Sequence, residues 1–179
     1  MLRRGFTLIE IVAAVAVVGV VAAAGVFGIV PLVERARRDE QTREALAQIR
    51  RLRARSLTVN AGGALEVTPR PAGGVHVVTA VVPRQGGLLP CQNFDGRAST
   101  IERRDYDLVD IVVPRADNTL CFEASAFRLL ADDGASLADA PAPIDFFADD
   151  AATLGRLTVS PAGTFTSTFQ PDVDEGLSA

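Results

Sequence analysis

Met1-Leu2-Arg3-Arg4-Gly5-Phe6-Thr7-Leu8-Ile9-Glu10 opens the chain, and the run that follows, Ile11 to Val33, contains no charged residue. A helix of about 20 apolar residues is long enough to cross a hydrocarbon core of about 30 Å. Arg3 and Arg4 precede the run, which by the positive-inside rule holds the N-terminus in the cytoplasm. Arg35, Arg37 and Arg38 follow it and weaken that bias without reversing it. A secretory signal peptide has a shorter apolar core that ends at a small-residue cleavage site. Here the apolar run continues into a helical pattern. A plain signal anchor leaves Glu10 unexplained, because a carboxylate at the start of a membrane span is costly and usually functional.

With charge, glycine, aromatic, acid and apolar span in that order, Arg4-Gly5-Phe6-Thr7-Leu8-Ile9-Glu10 resembles the processing motif of type IV pilins and type II secretion pseudopilins. The resemblance covers about the first quarter of the chain. It implies that a prepilin peptidase cuts after Gly5 and N-methylates Phe6. It also implies assembly with other pilin or pseudopilin subunits at an inner-membrane platform. Cleavage would place an α-amine on Phe6, four residues from Glu10. Among packed apolar helices, the Glu10 carboxylate can then pair with the Phe6 ammonium of a neighbouring subunit. Such a pair sets axial register more than it adds energy. The alternative is an acid resting at headgroup level. The small residues Gly19, Ala22, Ala23, Ala24, Gly25 and Gly28 permit close helix approach. Pro31 removes a backbone donor and crowds the carbonyl of Phe27, which predicts a kink or melted turn near Gly28 and Pro31.

Charge divides the rest from this segment. Residues 1–55 carry a net +5 and the remainder a net −9, for −4 overall. All 18 basic residues are Arg. An acidic distal part disfavours a broad nucleic-acid footprint, which needs clustered positive charge. The cluster Arg50, Arg51, Arg53 and Arg55 reads first as the solvated face of an amphipathic helix and second as a DNA contact. The two cysteines, Cys91 and Cys121, both lie beyond the apolar run, in what would be an oxidising compartment. They are a candidate disulfide worth about 3–4 kcal/mol in the chain-entropy model, with two buried thiols as the alternative.

From Glu34 to Leu57 the residues Ala45, Leu46, Ile49 and Leu52 recur at helical spacing. After Asn60-Ala61-Gly62-Gly63 the period becomes two. Strands are predicted at 64–68, 75–82, 108–113, 119–123, 126–131, 155–160 and 164–169, with hairpins at Gly73-Gly74 and Pro161-Ala162-Gly163. Residues 83–105 and 131–150 read as loops. The expected fold class is α+β: a long N-terminal helix, first transmembrane and then amphipathic, packed on an antiparallel β-sheet head of the pilin kind. The expected divisions are a leader at 1–5, a transmembrane or filament-core helix at 6–33, a stem helix at 34–57, a head at 58–170 and a tail at 171–179. Leu52-Arg53-Ala54-Arg55-Ser56, with Ile144-Asp145-Phe146-Phe147 and the stretch Arg156 to Thr164, resembles GspH/FimT-type minor pilins. Some members of that group bind DNA through a basic C-terminal region; here Asp172-Val173-Asp174-Glu175 is acidic.

Catalytic chemistry is not apparent. His76 is the sole histidine, Cys and His spacing offers no zinc site, and no phosphate loop or nucleophile elbow is present. The pairs Asp132-Asp133 and Asp149-Asp150 have no calcium-ligand spacing and read as solvated loop acids. No metal and no cofactor is expected. The sequence therefore predicts a non-enzymatic, single-pass inner-membrane protein with its head outside the cytoplasm. It would be a structural, minor subunit of a type IV pilus or type II pseudopilus, or alternatively a pilus subunit that captures DNA or a surface.

Overall fold

The computed structural model describes residues 8–82, 99–115, 117–131, 136–148 and 152–169, with side chains omitted at 21–28 and 99–101. One helix, α1 (Leu8–Val59), precedes eight strands: β1 (Gly62–Pro69), β2 (Val75–Val82), β3 (Ser99–Tyr106), β4 (Val109–Val112), β5 (Thr119–Phe122), β6 (Ala142–Ala148), β7 (Thr153–Val159) and β8 (Phe165–Phe169). The chain divides into two compact units, Met1–Arg37 and Arg38–Ala179.

In the second unit, α1 buries the stripe its spacing predicts. Ala45, Leu46, Ile49 and Leu52 are each at most 1% exposed, while Arg43 and Arg50 on the opposite side are exposed. The helix stops in a Schellman motif. Asn60 takes the left-handed conformation at φ 49°. The Asn60 and Ala61 N–H groups then donate to the Leu57 and Ser56 carbonyls at 3.4 and 3.0 Å, satisfying carbonyls that the helix end leaves open.

The strands form two antiparallel four-stranded sheets, β3-β2-β1-β5 and β4-β6-β7-β8. Both predicted hairpins form. Gly73 and Gly74, at φ 93° and 73°, turn β1 into β2, and the turn at 161–163 joins β7 to β8. The larger apolar core takes Leu46 and Ile49 from α1, Leu65, Val77 and Phe122 from the first sheet, and Ile144, Phe146 and Val159 from the second. Phe127 lies at its centre, stacked on Phe122 at 4.1 Å and edge-on to Phe165 at 6.2 Å.

Three expectations about strands need correction. Residues 99–106 and 142–148 are strands, although they fall in the stretches read as loops. Residues 126–131 are not a strand: they make only the isolated bridges Phe122↔Leu129 and Leu130↔Leu137. Phe127 at φ 54° breaks the extended backbone there.

Candidate functional site

The first unit carries the residues singled out for processing and assembly. Gly5 and Phe6 lie outside the described residues. Glu10 stands in the first turn of α1 and is exposed, where a negative charge is favoured by the helix dipole. The apolar residues around it are also open. Leu8 is 82% exposed, Ile9 76% and Val20 70%, and Ile29 and Leu32 are similarly bare. A helix apolar on all sides is ordinarily buried, in a membrane or among other helices. Each such side chain gains about 1.5–3 kcal/mol on leaving water. Among the described residues, no helix is long and apolar enough to cross a membrane; the side chains of 21–28, inside the predicted span, are not among them. The helix continues through Gly28 and Pro31.

The second unit fixes its part of α1 to the first sheet through a buried polar link. Gln48 is fully buried, as is Tyr106. The Tyr106 hydroxyl donates to Gln48 Oε1 at 2.9 Å. Gln48 Nε2 donates to the Val77 carbonyl at 3.3 Å and approaches Thr79 Oγ1 and the Glu102 carbonyl at 3.4 Å. Burial pushes the Tyr106 phenol up to about 12. Outside this link, Arg51 pairs with both carboxylate oxygens of Glu102 at 2.9 and 3.0 Å. Arg104 bridges Glu102, at 2.6 Å, and Glu44. Further along, Gln41 accepts the Leu108 N–H at 3.0 Å. Sequence reading missed Glu102 because it lies in the stretch 83–105 read as a loop, and Tyr106 because it falls between that stretch and the strand predicted from 108. The apolar residues at both ends of Ile101-Glu102-Arg103-Arg104-Asp105-Tyr106, around balanced charges, were the available signal.

His76 proves to be a surface residue. Its Nδ1 pairs with Asp105, which Arg70 also approaches at 3.8 Å. The hydrogen bond with His76, helped by the Arg70 charge, holds the Asp105 carboxyl below its usual range. An open groove beside it is lined by Glu44, His76, Glu102, Arg103, Arg104 and Asp105, and its charges are largely paired with one another. The arginine cluster of α1 is partly committed as well. Arg51 binds Glu102, and the Arg53 guanidinium sits 5.6 Å over the Phe165 ring, leaving Arg50 and Arg55 exposed.

Cys121 is 2% exposed and disulfide-bonded; Cys91 lies outside the described residues, as do the acid pairs at 132–133 and 149–150 and the acidic stretch at 172–175. Among the described residues no group of three metal-binding side chains forms.

The family model for the prokaryotic N-terminal methylation motif matches residues 1–26. The crystal structure of the type IV minor pilin FimU from Pseudomonas aeruginosa strain PAO1 is similar in fold, with a TM-score of 0.51 at 14% identity over 78% of this chain and 92% of that one. No curated protein matches the chain. The chain thus begins with the prokaryotic N-terminal methylation motif, and its helix-on-antiparallel-sheet fold is similar to that of a type IV minor pilin.

Proposed function

We propose that the chain is a structural subunit of a type IV pilus, made as a prepilin and assembled through its N-terminal helix. The observation that carries this is the bare apolar surface of α1 at residues 8–20 and 29–33, in and just beyond the stretch that matches the methylation motif. Such a surface is stable only among lipid chains or other helices, and a filament subunit needs it to move from the first to the second. On this reading a prepilin peptidase cuts after Gly5 and methylates Phe6. The chain waits as a single-pass protein of the inner membrane, its N-terminus cytoplasmic and its head outside. The assembly platform then lifts it into the filament, where Glu10 meets the Phe6 amine of a neighbour. Gly28 and Pro31 supply the weak point at which the helix bends on packing.

The likeness to a minor pilin favours a minor subunit of a pilus over a secretion pseudopilus. The paired state of Arg51, Arg104, Arg128 and Arg156 disfavours a DNA-capturing role, because carboxylates already neutralise those charges. Cys91 is the partner proposed for Cys121. The test is the intact mass of the protein after co-expression with a prepilin peptidase. Loss of Met1–Gly5 with gain of one methyl group, both abolished by a Gly5 substitution, supports the reading; an uncut mass overturns it.

A further inference from the structure

Four strands bound the two sheets: β3 and β5 in one, β4 and β8 in the other. An uncovered edge is a template for another strand. On β5 the outer side is taken by the bridge from Phe122 to Leu129. β4 carries Asp110. β3 carries Glu102, Arg103, Arg104 and Asp105, so antiparallel pairing with itself about that centre would set Arg103 against Arg104 and Glu102 against Asp105. β8 is different. Phe165-Thr166-Ser167-Thr168-Phe169 has no charge and no proline, and it reads the same in both directions.

The backbone of β8 is oriented to match. Ser160 N–H donates to the Thr164 carbonyl at 2.9 Å across the turn. Ladder bonds recur at alternate residues of an antiparallel pair, so Thr166 and Thr168 bond to Thr158 and Arg156 on β7. The N–H and C=O groups of Phe165, Ser167 and Phe169 therefore point away from β7, to an edge that no strand among the described residues covers. Thr166 and Thr168 are exposed, and Phe165 and Ser167 are half-buried.

We propose that β8 pairs antiparallel with β8 of a second copy of this chain, centred on Ser167. In that register Ser167 faces its counterpart, Phe165 faces Phe169 of the other copy, and Thr166 faces Thr168. Aromatic and threonine cross-strand pairs are favourable ones, and no like charges meet. The outward backbone groups fall opposite one another as hydrogen-bonded pairs. A contact of five residues per strand is small beside the ~800 Å² per partner of a stable dimer. Its strength therefore depends on local concentration, as when copies share a membrane.

Cysteine cross-linking of the full-length protein in concentrated detergent solution tests this. Directly opposed residues lie about 4.5–5.5 Å apart between Cα atoms, within disulfide reach, whereas residues offset by two lie ~7–8 Å apart, beyond it. Mild oxidation should link Ser167→Cys into a dimer roughly tenfold more than Thr166→Cys or Thr168→Cys alone. A mixture of the latter two, one of them tagged, should link to each other. Equal yields at all three positions would mean association through α1 without β8 register, and no dimer at position 167 would mean an unpaired edge; either overturns the proposal. Both leave the prepilin reading untouched, since that rests on the cleavage assay.

Discussion

Gly163 faces the carbonyl of Phe127 so closely that an added Cβ would stand 1.9 Å from the Phe127 oxygen. Both residues have left-handed backbones, at φ 74° and 54°. For Phe127, a bulky residue, that conformation costs of order 1–3 kcal/mol and persists only where surrounding packing dictates it. Stacking on Phe122, the edge contact with Phe165 and full burial supply that packing. Here the stem helix, the first sheet and the β7–β8 hairpin meet.

Gly163→Ala should therefore destabilise the head by on the order of 3 kcal/mol, because strain at positive φ adds to the clash with backbone that cannot retreat. Thermal or denaturant unfolding of the substituted protein measures it. A loss below 1 kcal/mol would mean that the hairpin shifts freely and that Phe127 is not held as described.

The stem helix was the most legible element, since its apolar spacing is a property of four residues on one face. Ile49→Ala or Leu52→Ala should cost about 2–5 kcal/mol, the range for emptying a packed core site, as read by denaturant unfolding. Ala54, on the exposed side of the same helix, should tolerate substitution by Gln within about 0.5 kcal/mol.

Other elements were hidden for identifiable reasons. β3 is an edge strand whose charged residues Glu102 to Asp105 serve ion pairs and solvent, so it lacks apolar alternation. In β6, Pro141 and Pro143 argued for a loop, yet Ala142, Ile144, Phe146 and Ala148 alternate inward. Pro143 is tolerated because β4 pairs only with residues 145–148, leaving position 143 a neighbour on one side alone. Phe127 misled in the opposite direction: an apolar stretch looked like a strand until packing forced it into a turn. The proposed processing site, by contrast, is legible only in sequence, because Gly5 and Phe6 lie outside the described residues.

Asp105 should make stability fall on acidification. Its carboxyl titrates lower in the folded protein than in the unfolded chain, first because of the His76 hydrogen bond and then the Arg70 charge. The unfolded chain thus binds the proton more readily, and the contribution, present above the usual carboxylate pKa, is lost as pH falls through the lowered one. Asp105→Asn should flatten that part of the acid-unfolding profile. The effect should be small and diminish with salt, since the group is at the surface.

Cys121 sits among Ala64, Val82 and Leu130 in a small core of its own. Cys121→Ser should lower stability by about 2–5 kcal/mol, the range for losing a native disulfide. Reducing agent should bring the unsubstituted protein towards the same value while leaving the variant unchanged. A reductant effect of equal size in both would place the stabilisation elsewhere.

Tyr106 offers the sharpest reading of how stem and sheet are joined, because it is the only tyrosine in the chain. Its tyrosinate absorbance therefore reports one group. The phenol, pushed up to about 12 by burial, keeps its proton in the folded state after the unfolded chain would begin to lose it near pH 10. The folded protein then binds more protons than the unfolded one between those values. Stability is full below about pH 10 and declines as pH rises towards 12. Tyr106→Phe removes both the titration and the donor to Gln48 Oε1, leaving a buried acceptor unsatisfied at a cost of about 1–3 kcal/mol. Gln48→Met should cost a similar amount, and the double variant less than the two together, because each change orphans the other's partner. Additive losses would show that the hydrogen bond contributes nothing to fastening the helix.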